Sequence, residues 1–260
     1  MSETERLEDL DVTAEEAAWS PSRLKLIGTC GHAYDLKYNA QLEPEGVDNL
    51  RFGTAVHATI DRIHKEGAFS VVKAQPIWAQ EWATARPKDS GWGSNKKLTD
   101  YDKLGPKIVM KYVLENAKAT IMKSEWTFPS EEGRFFAEDQ ELKGIIDQIR
   151  LSEDNRIMVV DFKTSQREPD ALVLRHDPQF TTYYAVAKKK YGEEPLLAWY
   201  HLRNGKLLFT ERTDEDVAEL AALMREGKQR EQQKMFSKNY GFHCGWCSYK
   251  TTCLTVKTVV

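Results

Sequence analysis

The sequence predicts an α/β protein in which a mixed central sheet is flanked by helices, with a helical insertion and a C-terminal segment carrying clustered cysteines. Three observations lead there. In LKGIIDQIRLSEDNRIMVVDFKTS, two runs rich in Ile and Val are separated by the turn-forming SEDN and read as an antiparallel hairpin. Capped helical patterns lie on both sides of that hairpin, and a second hairpin, LLAWYHLRNGKLLFTE, follows around Asn204 and Gly205. The chain then closes with CGWCSYKTTC.

Taken in order, residues 1 to 18 form a polar, acidic lead. WSPSRLKLIGTCGHAYDLKY reads as a short helix from Ser20, with Pro21 in its first turn. In FGTAVHATIDRIHKEG, Thr54 can cap and Gly67 can stop a helix of about three turns. The stretch from about 70 to 105 carries Trp78, Trp82 and Trp92 with the loop KDSGWGSNKK and reads as an insertion of weak helical content. Leu104 to Ser124 is helical in pattern, Gly105 and Pro106 marking its start, and a β-rich segment runs from about Thr127 to Thr164. DPQFTTYYAVAKKKYG offers Asp177 as cap, Pro178 at the first helical position and Gly192 as terminator, and TDEDVAELAALMREGKQREQQK is a charged, capped helix. The expected organisation is one domain over residues 19 to 253, with a tail at 254 to 260 and no internal repeat.

A chain of 260 residues can bury a core without covalent staples. Its net charge of −3 excludes a uniformly basic nucleic-acid coat but leaves room for a local basic stripe. No apolar run approaches a membrane span, and the N-terminus is acidic where a secretory signal is basic and then apolar. The expectation is a cytoplasmic protein without a membrane partner. Four cysteines in a reducing compartment then read as ligands or buried thiols rather than disulfides.

The first hairpin carries an acid on each strand. With a tight turn of Glu153, Asp154 and Asn155, Ser152 faces Arg156 and Asp147 lies opposite Asp161. Asn155 suits this turn because asparagine tolerates the left-handed conformation needed at its last position. A turn of odd length places both carboxylates and Lys163 on one face and Phe162 on the other. Carboxylates about 5 Å apart repel by about 3 kcal/mol at an effective dielectric of 20. A divalent cation with hard oxygen ligands, magnesium or manganese, would offset that. So would protonation of one acid or its pairing with Arg150.

Other side chains offer pairs. His57 and Asp61 stand one helical turn apart, as do Gln179 and Tyr183, so each pair can address one neighbour. Cys244 and Cys247 form a Cys-x2-Cys clamp followed by Cys253, and Cys30 lies more than two hundred residues earlier. Four thiolates make an ordinary structural zinc site, for which His32 or His243 could replace one ligand.

In order along the chain, His57 after Gly53, Asp147 in GIID, Asp161 and Lys163 in DFK, and Gln179 with Tyr183 in QFTTY resemble the PD-(D/E)XK nuclease superfamily in its RecB-like branch. Ile146 replaces the proline of the superfamily's name. The resemblance implies a restriction-endonuclease-like αβββαβ core and a metal-dependent exonuclease acting at DNA ends, on single strands, in recombination, repair or spacer processing. It implies that His57, Asp147, Asp161 and the backbone carbonyl of Phe162 hold Mg2+ or Mn2+. Lys163 would orient or activate water, and Gln179, with Tyr183 beside it, would position Lys163 or the DNA backbone. Cys30, Cys244, Cys247 and Cys253 are similar in spacing to the cysteines of AddB-type nuclease domains and CRISPR-associated RecB-like exonucleases, which implies a [4Fe–4S] cluster joining the two ends of the domain, structural Zn2+ being the alternative. Two other functions fit the same residues: a catalytically idle nucleic-acid or protein adaptor, and a sequence-specific endonuclease.

Overall fold

The computed structural model describes residues 18–46, 48–86 and 98–255. The acidic lead up to residue 17, the loop KDSGWGSNKK with Trp92, and residues 256–260 of the tail lie outside the described residues. Two short helices, α1 (Pro21–Thr29) and α2 (Gly31–Tyr38), precede α3 (Asp48–Glu66), α4 (Val71–Ala85) and α5 (Leu98–Asn116). Strand β1 (Ile121–Phe128) leads through a small hairpin, β2 (Phe135–Ala137) and β3 (Gln140–Leu142), to β4 (Gly144–Leu151) and β5 (Ile157–Lys163). After these come α6 (Ala171–Arg175), α7 (Pro178–Tyr191), β6 (Leu196–His201), β7 (Lys206–Thr210), α8 (Asp214–Gln232), a 3-10 turn (Phe242–Trp246) and α9 (Lys250–Thr255). No helix among the described residues is long and apolar enough to cross a membrane.

The five-stranded sheet has the order β1-β4-β5-β6-β7, with β5 and β6 parallel and the other neighbours antiparallel. The mixed sheet is therefore the expected one, and α7 is the crossover that makes β5 and β6 parallel. Alternation along β5 splits the core in two. Ile157 and Val159 join α1, α7 and α8 on one face, while Met158, Val160 and Phe162 join α3, α4 and α5 on the other.

Four helix expectations need correction. Thr54 does not cap a helix, because α3 begins six residues earlier, at Asp48. The added turns carry Phe52 into an aromatic cluster, 5.8 Å from both Trp78 and Trp82 and 4.6 Å from Tyr101 between ring centroids. The supposed weakly helical insertion contains α4, capped by Ser70, whose Trp78 and Trp82 stack at 5.6 Å within the core. Gly105 and Pro106 lie inside α5, which ends at Asn116, so that Ile121–Ser124 is strand. Burial against α4 overrides the local breakers: a Cβ at position 105 would overlap the Trp78 indole. Alanine in place of a helical glycine ordinarily gains about 1 kcal/mol. Here the sign reverses, and Gly105→Ala is expected to cost about 1–3 kcal/mol through overpacking, read as a lower urea midpoint.

The first segment is likewise two helices rather than one. Cys30 is extended (φ −159°, ψ 112°), and Gly31 lies so close to the Phe236 backbone that a Cβ there would stand 3.0 Å from the Phe236 Cα. Helix α7 follows its sequence signals. The Asp177 side chain accepts from the Gln179 N–H (2.8 Å), and Gly192 closes the helix at φ +74°. The buried Arg212 fixes the entry to α7 by donating to the carbonyls of Leu174 (2.9 Å) and Asp177 (3.1 Å) and to the Thr181 hydroxyl (2.8 Å). That clamp sets the position from which Gln179 and Tyr183 reach the sheet.

Candidate active site

The β4–β5 ladder pairs Leu151 with Ile157 and Gln148 with Val160. Its turn is the three-residue one, with the Ser152 N–H donating to the Arg156 carbonyl (2.9 Å) and Asn155 at φ +60°. One step beyond the last ladder pair stand Asp147 and Asp161. Here the strands part, and the Asp147 side chain takes over from the backbone, its Oδ2 accepting the Phe162 N–H at 2.6 Å. Asp147 Oδ1 meets His57 Nδ1 at 3.1 Å, and the His57 ring stands edge-on to Phe162. Helix α3 thus reaches over the open end of the hairpin.

Asp161 is 1 % exposed. Its Oδ2 lies 2.7 Å from Lys163 Nζ, and its Oδ1 accepts from Gln179 Nε2 at 3.0 Å. Gln179 Oε1 accepts in turn from Lys163 Nζ (3.4 Å), while Nε2 also donates to the Tyr183 hydroxyl (2.7 Å). Tyr183 donates onward to the Ile145 carbonyl (2.7 Å). One carboxamide therefore orients an acid and a base together, and a tyrosine tied to the β4 backbone holds the carboxamide. The structure brings together His57, Asp147, Asp161, Phe162, Lys163, Gln179 and Tyr183. Two suggested pairings are absent: Asp61 pairs with Lys65 (2.7 Å) rather than His57, and Arg150 donates to Asn116 (2.8 Å) rather than to either acid.

The carboxylates differ in their surroundings. Burial would raise Asp147, but the imidazole of His57, the charge on Lys163 and the Phe162 N–H outweigh it and hold Asp147 below the ordinary range. Burial raises Asp161, and Asp147 adds to that against the opposing pull of Lys163. His57 would be lowered by burial, yet Asp147 raises it overall; Lys163 is likewise raised, by Asp161 and Asp147 against burial. Lys163 thus stands as an ammonium, and with His57 it lines a groove of about 670 Å³ bounded by Asn49, Gly53, Thr164 and Arg203.

Glu125 was not expected here. It lies on β1, with φ +47°, and its Oε1 is 3.9 Å from His57 Nδ1. His57, Glu125 and Asp147 each offer an atom within 4.8 Å of the others; Asp161, turned to Lys163 and Gln179, is not in that group. Burial and the Asp147 charge push the Glu125 carboxyl up to about 7. The sequence hides Glu125 because the helical pattern was carried through Ser124 and the strand expected only from Thr127. The signal that could have found it is the alternation of Trp126 and Phe128, extended backward into β1.

The four cysteines are free, half-buried thiols lining one cavity of about 670 Å³ between α1, α2 and the C-terminal segment. No three of their sulfurs lie within 4.8 Å of one another among the described residues. The walls meet through backbone bonds from the Glu45 N–H to the Ser248 carbonyl (2.7 Å) and from the His32 N–H to the Ser237 carbonyl (3.2 Å), through Asn239 Nδ2 donating to the Thr29 carbonyl (2.9 Å), and through Tyr249 packed on Ala33 and Leu36 and Phe236 stacked on Tyr34.

A sequence model of the PD-(D/E)XK nuclease superfamily matches residues 18–254. No curated protein matches the chain. Among solved structures, a candidate exonuclease from Eubacterium rectale is 15% identical, with 86% of each chain covered and a TM-score of 0.48. The protein SSO0001 is also 15% identical, with 93% of this chain and 87% of that one covered and a TM-score of 0.40.

Proposed function

The chain belongs to the PD-(D/E)XK nuclease superfamily, and from that premise we propose that it is a divalent-metal-dependent DNA exonuclease of the RecB-like branch, working from DNA ends on single strands. The observation that carries this reading is the Gln179 carboxamide, which holds Asp161 and Lys163 together beside a second carboxylate, Asp147, already bonded to His57. The donor set fits Mg2+ or Mn2+. Carboxylate oxygens and one imidazole are the ligands such ions accept, and the buried Asp161 Oδ2 has the Lys163 ammonium, at 2.7 Å, as its partner. His57, Asp147, Asp161 and the Phe162 carbonyl would hold the ion. When bound, it makes an attacking water more acidic and offsets charge on the phosphate. Lys163, fixed by Asp161 and Gln179, orients that water and donates to a phosphate oxygen as negative charge builds. Tyr183 keeps the Gln179 carboxamide from rotating.

The same reading treats residues 19 to 253 as one domain whose ends are joined through Cys30, Cys244, Cys247 and Cys253 by a [4Fe–4S] cluster.

The test is digestion of end-labelled single- and double-stranded DNA by protein stripped of divalent metal, with Mn2+ or Mg2+ then restored. Early release of labelled nucleotide only in the presence of metal is expected. Binding without turnover would make the chain an adaptor, and discrete internal cuts would make it an endonuclease.

A further inference from the structure

Strand β1 is an edge of the sheet, and its pairs Ser124 with Gln148 and Trp126 with Ile146 bracket Glu125 opposite Asp147. Two carboxylates and an imidazole from three different elements, β1, β4 and α3, consequently meet within 4.8 Å. Ligand atoms about 2.0–2.2 Å from one ion are separated by up to about 4.4 Å, so only a small adjustment lets all three reach the same cation. A simpler account makes Glu125 an ion-pair partner of His57. That pairing exists at ion-pair range, 3.9 Å, but it is the weaker of two: His57 Nδ1 is taken by Asp147 at 3.1 Å, and Glu125 makes no hydrogen bond to the ring. The nearby Lys65 is bonded to Asp61.

Charge balance points the same way. Asp161 is paired with the Lys163 ammonium at 2.7 Å, which leaves Asp147 and Glu125 as the carboxylates facing His57. With His57 neutral, as a metal ligand must be, two negative charges stay uncompensated, which is the deficit one divalent cation fills. We propose that Glu125 is a ligand of the divalent cation, supplied by the edge strand beside the His57–Asp147 pair. This rests on the metal-dependent reading above and adds to its ligand set a residue from β1. The cation then ties the edge strand to the central hairpin and to α3.

The test is Mn2+ titration of metal-free protein, with free Mn2+ counted by electron paramagnetic resonance and the unfolding temperature followed in parallel. Glu125→Gln keeps the shape and removes the charge. It is expected to weaken Mn2+ binding at least about tenfold, no less than is lost when an outer-shell partner of a ligand is removed. The metal-free variant should unfold no earlier than the parent, since it loses like-charge repulsion, and Mn2+ should raise its unfolding temperature less. Glu125→Asn, a residue that tolerates positive φ, should lose affinity likewise and guards against a folding artefact. Asp61→Asn, one turn from His57, should leave affinity as it is. Mn2+ affinities of both Glu125 variants within twofold of the parent would overturn the assignment alone, provided the parent binds Mn2+ and digests DNA. A parent that binds no Mn2+ would overturn both this assignment and the reading on which it rests.

Discussion

Lys163→Ala is expected to lower the turnover of DNA by about 10³-fold or more while Mn2+ binding persists. The magnitude follows from its position: Nζ is held by Asp161 and Gln179, is one-third exposed to the groove, and carries a charge that Asp161 and Asp147 stabilise against burial. A lysine kept protonated contributes its charge and its hydrogens rather than basicity. Lys163→Arg should therefore rescue little, because a planar guanidinium cannot occupy the point between Asp161 and Gln179. The substitution has a second signature. Without Lys163, the Asp161 carboxylate is a buried charge satisfied only by Gln179, a loss of about 3–5 kcal/mol in the metal-free protein. Mn2+ should restore most of that stability, so unfolding temperatures with and without metal separate a catalytic loss from a folding loss. Single-turnover rates within tenfold of the parent, measured on folded variant, would remove Lys163 from the chemistry.

Cys247→Ser is expected to abolish the visible absorption of anaerobically purified protein and to expose the C-terminal segment to protease. The thiols at 30, 244, 247 and 253 line a cavity rather than a packed core, beside a small buried cluster of Ala33, Leu36 and Tyr249. Under the proposed function, a shared inorganic group would add to the hydrogen bonds and the small apolar cluster that already join these ends. Limited proteolysis should release a fragment beginning near Ser237 from the variant and not from the parent, while the core around the sheet keeps its own unfolding transition. A colourless parent containing one zinc would replace the cluster with the rival metal and leave the stapling role intact. A variant with full colour would exclude Cys247 as a ligand.

Local chemistry made part of this molecule legible. The turn Glu153-Asp154-Asn155 has a residue suited to positive φ at its end, and that alone sets the parity placing Asp147 and Asp161 side by side. The ends of α7 were readable because Asp177, Pro178 and Gly192 act on their own backbone neighbours. Helix α5 was not, since Gly105 and Pro106 are local breakers whose effect is reversed by a contact with Trp78, some thirty residues away. Cys30 terminates one helix and starts the next because the C-terminal segment packs against Gly31, which neighbouring residues do not reveal.

By itself, then, the sequence determined the mixed sheet, the register of its central hairpin and the helix that brings Gln179 to it, because turns, caps and strand alternation act over a few residues. Only the tertiary structure decided that α3 lays His57 on Asp147, that Gln179 orients Asp161 and Lys163 at once, and that Glu125 arrives from an edge strand. Those arrangements depend on which sheet face each helix covers and on where paired strands separate, and both are settled by burying apolar surface from distant parts of the chain.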